Sequence, residues 1–170
     1  MNQPKDSVPL LHLEKVTGKN VWDLLNLRVR PDQSDFVADN AVSLAEAYAS
    51  SVDGGFAFPF GIYEENAPVG FLMIGFGARQ EEWPGAPKVN MGNYSLWRLM
   101  IDARYQGRGY GRQAVQLALD FVKTFPCGPA AYCWVSYEPE NTVSAKLYHA
   151  FGFQENGVKD GDEIVAVLKL

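Results

Sequence analysis

Several things are scarce in this chain of 170 residues, and each scarcity closes off a class of protein. Only two cysteines occur, Cys127 and Cys133. They are too few to staple a fold of this size, and their spacing matches no zinc signature, so ordinary reduced thiols are expected and no metal is implied. No apolar run reaches the roughly 18–20 residues that a bilayer span needs. The opening MNQPKDSVPL has no apolar core of the signal-peptide kind, so a cytoplasmic protein with no membrane partner is expected. Positive charge is in deficit: 15 Lys and Arg face 20 Asp and Glu, a formal net charge of -5. Such a balance disfavours nucleic acid as a partner, because that affinity rests on neutralising phosphates. From Pro31 to Ala78 there is no Lys or Arg at all, while Asp32, Asp35, Asp39, Glu46, Asp53, Glu64 and Glu65 fall there and Glu81 and Glu82 follow.

What is present is an ordinary globular mixture, 47% hydrophobic and 21% charged, whose length suits one domain over residues 1–170. No repeat or linker divides it. Alternation over Leu10–Val16 predicts a first strand, and Trp22, Leu25 and Val29 predict a helix over Val21–Val29 that Pro31 ends. A second helix is expected from Asp32, as N-cap, to Ala49. Phe56–Tyr63 and Pro68–Ala78 predict a hairpin turning at Glu64–Ala67, and Trp83–Pro87 a loop. Further strands are expected at Tyr94–Ile101, Ala130–Ser136, Phe153–Val158 and Glu163–Lys169, with helices over about Gly109–Lys123 and Asn141–Ala150. Strands on both sides of the helices define a mixed α/β fold.

One positively charged spot stands out. After the strand ending at Ile101, the run Gln106-Gly107-Arg108-Gly109-Tyr110-Gly111 turns sharply into a helix, with Arg104, Arg108 and Arg112 beside it. Backbone N–H groups at a helix start, and glycines that admit close approach, suit an anion such as a phosphorylated ligand. The Walker pattern and the dinucleotide fingerprint GxGxxG are both absent, because these glycines recur at every second position. Taken alone, the turn could equally be mere geometry between strand and helix.

That turn resembles the Q/R-x-x-G-x-G/A signature of the GNAT N-acetyltransferase superfamily. Asn141-Thr-Val-Ser-Ala145-Lys-Leu-Tyr148-His-Ala-Phe-Gly152-Phe153 resembles the same family's N-x-x-A-x-x-L-Y-x-x-x-G-F segment. The resemblance implies a fold in which two central strands, here Tyr94–Ile101 and Ala130–Ser136, splay apart to admit acetyl-CoA. It implies pyrophosphate contacts from the backbone of Gly107, Arg108, Gly109, Tyr110, Gly111 and Arg112, with Gln106 opening the turn. Met100 and Ile101 would meet the pantetheine arm through their main chain, Asn141 would reach it from the other side, and Tyr148 would face the thioester sulfur. Many relatives are dimers, so a homodimer is expected.

The chemistry asks for two proton transfers. Asn141 and Tyr148 are seven apart, close to two helical turns, and project from one face with the small Ala145 between them. Tyr148 could also be a core tyrosine. As an acid, a phenol of pKa about 10 facing a thiol near 8.5 is mismatched by about 2 kcal/mol, which proximity can offset. The attacking amine, with pKa near 10.4, costs about 4–5 kcal/mol to deprotonate at neutral pH, so a base or a chain of waters is required. Glu46, Glu138 and Glu64 are candidates, with Glu138 placed just after a splayed strand. His149 lies about 100° around the helix from Tyr148, and it and His12 read as surface or packing residues.

The stretches PDQSDFVADNAVSLAEAY, GFLMIGF, YSLWRLMIDARYQGRGYG and SYEPEN resemble bacterial spermine/spermidine N-acetyltransferases. This implies a small polyamine or diamine acceptor and substrate contacts from Gln33, Phe36, Asn40, Ser43 and Glu46 on the second helix and from Tyr137 and Glu138. The acidic half suits a cationic acceptor, although it could be a solvated face. Acetylation of an aminoglycoside, an amino acid or a protein N-terminus, and a non-catalytic acetyl-CoA sensor, are the competing readings. The presence of Tyr148 weighs against the sensor.

Overall fold

The structure, a computed structural model, describes residues 9–77 and 85–170. The opening eight residues, Ala78, Glu81, Glu82 and the first part of the expected loop at 83–87 lie outside the described residues. Among the described residues the elements follow one another in this order: β1 (Leu11–Lys15), α1 (Val21–Leu25), a 3-10 turn (Pro31–Phe36), α2 (Asn40–Val52), β2 (Phe56–Glu64), β3 (Ala67–Phe76), a 3-10 turn (Lys88–Asn90), β4 (Tyr94–Ile101), a 3-10 turn (Ala103–Tyr105), α3 (Tyr110–Val122), β5 (Tyr132–Tyr137), α4 (Thr142–His149), β6 (Gln154–Asp160) and β7 (Glu163–Lys169). The strands form one seven-stranded sheet in the order β1-β2-β3-β4-β5-β7-β6. All neighbours are antiparallel except β4 and β5.

Both faces of the sheet are covered, which explains why β3 reads as a nearly unbroken apolar run with Val69 and Phe71–Ile74 fully buried. On one face α3 lays down Ala114, Val115, Ala118, Leu119 and Val122, one apolar stripe at helical spacing. These pack with Ile62, Leu72, Tyr94, Val135 and Tyr148. On the other face Leu24 and Leu27 close over Tyr63, Phe71, Met73 and Met100, with Leu44 of α2 against them.

The sheet is interrupted at its centre. β4 and β5 pair only through Tyr94↔Cys133 and Ser95↔Trp134. That closed end is pinned: the Tyr94 hydroxyl donates to the Gly128 carbonyl at 2.9 Å and accepts from the Cys127 N–H at 2.8 Å. The Asn93 side chain accepts from the N–H groups of Ala131 and Tyr132. Immediately beyond, the β3–β4 register shifts, so that Met73 faces Arg98 while Ile74 faces Leu96. Trp97 is therefore an extra residue, and a bulge of this kind bends its strand away from a neighbour. The strands part where the sequence expectation placed their splay.

The chain between α1 and α2 departs from expectation. The first helix ends at Leu25, because the Arg28 N–H turns to the Asp102 carboxylate at 3.0 Å. The expected long helix over 32–49 is a 3-10 turn and then α2, with Val37 extended between them and Asp39, not Asp32, at the N-cap position. Two tertiary bonds impose that break: Gln106 donates to the Gln33 side chain at 2.8 Å, and the buried Asn40 amide donates to the Leu24 carbonyl at 2.8 Å.

Asp102, 3% exposed, anchors this corner. It accepts from Arg28 N–H, Arg104 N–H and the Arg104 guanidinium at 2.8 Å. Burial opposes its charge, but Arg104 and the two N–H donors outweigh that and hold the carboxyl below its ordinary value. Asp102→Ala is expected to lower unfolding free energy by about 2 kcal/mol, the scale of lost hydrogen bonds to a charged acceptor. The Asp102 contribution in the parent is present above the unfolded-state pKa of about 3.9 and fades as pH falls through the lower folded value. Denaturant melts of parent and variant at neutral and acid pH check both.

Candidate active site

The glycine turn has the geometry of an anion cradle. Gly107 and Gly109 hold φ of +78° and +79°, whereas Arg108 between them is not left-handed. Alternation of that sort curls successive N–H groups toward one side. A Cβ at either glycine would meet no atom within 4 Å, so the backbone conformation, not crowding, demands glycine here. The first bond into α3 runs from the Gln113 N–H to the Gly109 carbonyl at 3.3 Å. No acceptor among the described residues takes the N–H groups of residues 107 to 112. Those donors, and the positive end of α3, remain open to a ligand.

The arginines are less uniform than the sequence suggests. Arg104 is committed to Asp102 at 2.8 Å. Arg108 lies 5.3 Å from the Tyr105 ring centre, and Arg112 lies 5.1 Å from that of Phe151. Arg108 and Arg112 thus flank the turn without lining the cavity beside it.

That cavity, of about 590 Å³, fills the gap between β4 and β5. It brings together Met100, Ile101, Gln106, Gly107, Gly109, Tyr110, Gly111, Asn141 and Tyr148 of the expected cofactor residues, and Gln33, Phe36, Tyr137 and Glu138 of the expected acceptor residues. Asn141 is the N-cap of α4, its side-chain oxygen accepting from the Ser144 N–H at 3.2 Å. The Ile101 carbonyl already accepts from Gln106 at 2.9 Å. Tyr110 contributes main chain only, because its ring is in the core. The Tyr137 hydroxyl donates to Glu155 at 3.0 Å and lies 3.3 Å from His149, as part of the α4 side of the sheet. His149 therefore packs and pairs rather than reaching the cavity.

Tyr148 is buried against Tyr137 and Phe153, and its hydroxyl has no hydrogen-bond partner among the described residues. Burial, with the charges of Glu163 and Glu138 adding, pushes its pKa above the ordinary phenol value. Burial also lifts the Glu138 carboxyl, and the neighbouring Glu163 and Glu140 lift it further.

A second cavity of about 270 Å³ opens on the α2 face and meets the first at Leu96, Trp97, Arg98, Ser136 and Glu163. Glu46, Asp160 and Trp134 line it. Glu46 stands here rather than beside Tyr148, and its carboxylate is paired with Arg98 at 2.8 Å. That contact with Arg98 is what the structure shows of Glu46, one of the carboxylates expected as base. Asn40 reaches neither cavity. Its amide is bonded to the Leu24 carbonyl, and Ser43 is buried as well. Arg98, Asp160 and Glu163 were not legible in the sequence as site residues, because no local motif marks them.

The family model for the acetyltransferase (GNAT) family matches residues 21–153, and the chain belongs to that family. It is an acetyl-CoA-dependent N-acetyltransferase. It is 28% identical over 151 residues to a spermine/spermidine N(1)-acetyltransferase of Bacillus subtilis (strain 168), covering 88% of this chain and 91% of the relative. Among solved structures, the aminoglycoside acetyltransferase AAC(6')-Ib in complex with ribostamycin and coenzyme A superposes with a TM-score of 0.73 at 16% identity, over 94% of this chain and 93% of that one. An acetyltransferase from Thermus thermophilus superposes with a TM-score of 0.60 at 23% identity, over 96% and 99%.

The residues fit acetyl-CoA: one cavity is lined both by the glycine turn with its unclaimed N–H groups and by the Tyr148 phenol. Gly109→Ala forces a left-handed alanine, a strain of about 1–2 kcal/mol. It is expected to raise the dissociation constant of coenzyme A about tenfold by calorimetry. An unchanged constant would remove the turn from the site.

Proposed function

We propose that this enzyme acetylates a primary amine of a small polyamine, spermidine or spermine, by direct transfer. One observation carries the reading. The cavity holding Tyr148 and the glycine turn meets, at Ser136 and Glu163, a second cavity lined by Glu46, Asp160 and Glu163, where Arg98 is the one cation among the described lining residues. Three carboxylates facing one guanidinium leave an excess of negative charge, which attracts a polycation. The similarity to a spermine/spermidine N(1)-acetyltransferase points the same way.

Acetyl-CoA supplies the activated acetyl group as a thioester. The chain does the rest. N–H groups of residues 107–112 would hold the diphosphate of acetyl-CoA, and the edge of β4 freed by the bulge at Trp97 would meet its pantetheine arm. Glu138 takes the proton of the incoming ammonium, and its raised pKa makes it a better base than an ordinary surface carboxylate. Tyr148 would give its proton to the departing thiolate sulfur and take back the one that the nitrogen sheds as the amide forms. Its high pKa makes it a weak acid, so position rather than acidity is its contribution. Glu138 must be ionised to act, so kcat/KM is lost as pH falls through a pKa above the usual carboxylate range.

Tyr148→Phe is expected to lower kcat about 100-fold, the lower end for a positioned acid. Coenzyme A affinity should stay within about twofold, because the turn is untouched. Glu138→Gln is expected to abolish the acid limb of the pH profile and lower kcat/KM about 100-fold. An amine panel tests the acceptor: spermidine and spermine should exceed kanamycin, amino acids and peptide N-termini, and a reversed order refutes the polyamine reading.

A further inference from the structure

The three strand ends beyond the splay carry a row of carboxylates whose arrangement goes beyond proton transfer. Asp160 of β6 is the register partner of Glu163 of β7. On the other side of β7 the ladder to β5 ends at Tyr137↔Ile164, which places Glu138 next in line, opposite Glu163. Glu138, Glu163 and Asp160 thus lie abreast on adjacent strands, about 10 Å between the outer backbones. Carboxylates directly opposite in a sheet repel, and half-burial sharpens the repulsion. Burial and the Glu163 charge together raise the Asp160 carboxyl, as they do Glu138. Arg98 is the cation facing the row, and Glu46 already holds it. Glu140 adds further negative charge beside Glu138, and the buried Tyr148 hydroxyl stays neutral. Among the described residues Arg98 is the one cation that offsets Asp160, against the charge of Glu163.

A separate feature points to the same ligand. Trp134 lines the second cavity with Asp160 and Glu163, is 7% exposed, and has a buried indole N–H with no hydrogen-bond partner among the described residues. Cys133, Val135 and Tyr137 belong to the core under α3 and α4, so alternation places Trp134, Ser136 and Glu138 together on the α2 face. A buried indole beside paired carboxylates suits an aliphatic amine chain, whose methylenes and ammonium can lie against the ring face.

We propose that Asp160 and Glu163, with Trp134 as the wall, form a subsite for the second ammonium of a dicationic aliphatic acceptor, so that the enzyme selects diamines over monoamines. The subsite rests on the polyamine reading above and names the residues that enforce it. While Glu138 receives the proton of the reacting nitrogen, Asp160 and Glu163 hold the distal one.

The test compares kcat/KM for 1,4-diaminobutane and for butylamine, which differ in the second ammonium, in the parent, Asp160→Asn, Glu163→Gln and Asp160→Glu. The parent should prefer the diamine, and each neutralising change should cut the diamine-to-monoamine ratio about tenfold, the scale of one lost charge-assisted contact. Asp160→Glu should keep the ratio. Because both amines are measured on the same preparation, the ratio does not depend on the folded fraction. A parent ratio near one, or a ratio unmoved in both neutralised variants, overturns the subsite. If the parent acetylates other amines but neither spermidine nor 1,4-diaminobutane, the polyamine reading itself fails and the subsite falls with it.

Discussion

Strands β4 and β5 are hydrogen-bonded through two residue pairs and then separate, and the site exists because that ladder stops where it does. A parallel pair continued to Ile101 would bury the edge of β4 and leave no cavity. Two local devices fix the stopping point. Tyr94 and Asn93 staple the closed end to the segment entering β5. The extra residue Trp97 then turns β4 away. A rigid clamp next to a bulge makes the opening a fixed feature of the fold, so the cavity is built in before any ligand arrives.

The same parting joins two sides of the molecule that a continuous sheet would keep apart. Tyr148 and the glycine turn belong to the face covered by α3 and α4, whereas Glu46, Trp134 and Asp160 belong to the face covered by α2. Glu138 and Glu163 stand at the opening itself. Acetyl donor and amine can therefore approach from opposite faces and meet in the gap. The charges are divided accordingly: open N–H donors and arginines on one side, carboxylates on the other. Among the described residues, Arg98 is held by Glu46, and the exposed Arg104 is held by Asp102.

The cofactor side was readable because its signals are local. Gly107 and Gly109 need left-handed backbone, and Asn141 caps the helix that carries Tyr148, so neighbours in the chain place them. The acceptor side was readable only in part, since Gln33, Phe36, Tyr137 and Glu138 line the cavity while Arg98, Asp160 and Glu163 carry no local signal. Gln33 is bonded to Gln106 across 73 residues, and Arg98 to Glu46 across 52. The helix expected over 32–49 failed for the same reason: its apolar spacing was sound, but a distant glutamine and the buried Asn40 amide broke it in two.

The amino-acid sequence by itself determined the strand and helix order, the glycine turn and the face shared by Asn141 and Tyr148, because each depends on backbone preference or periodicity within a few residues. Only the tertiary structure decided which carboxylates reach the gap. Glu46 is drawn into an ion pair by a strand from the other half of the chain, and Glu163 is carried beside Glu138 by the register of β7 on β5. Charge has no period along a chain. Its role is set by what lies across from it, and strand pairing alone decides that.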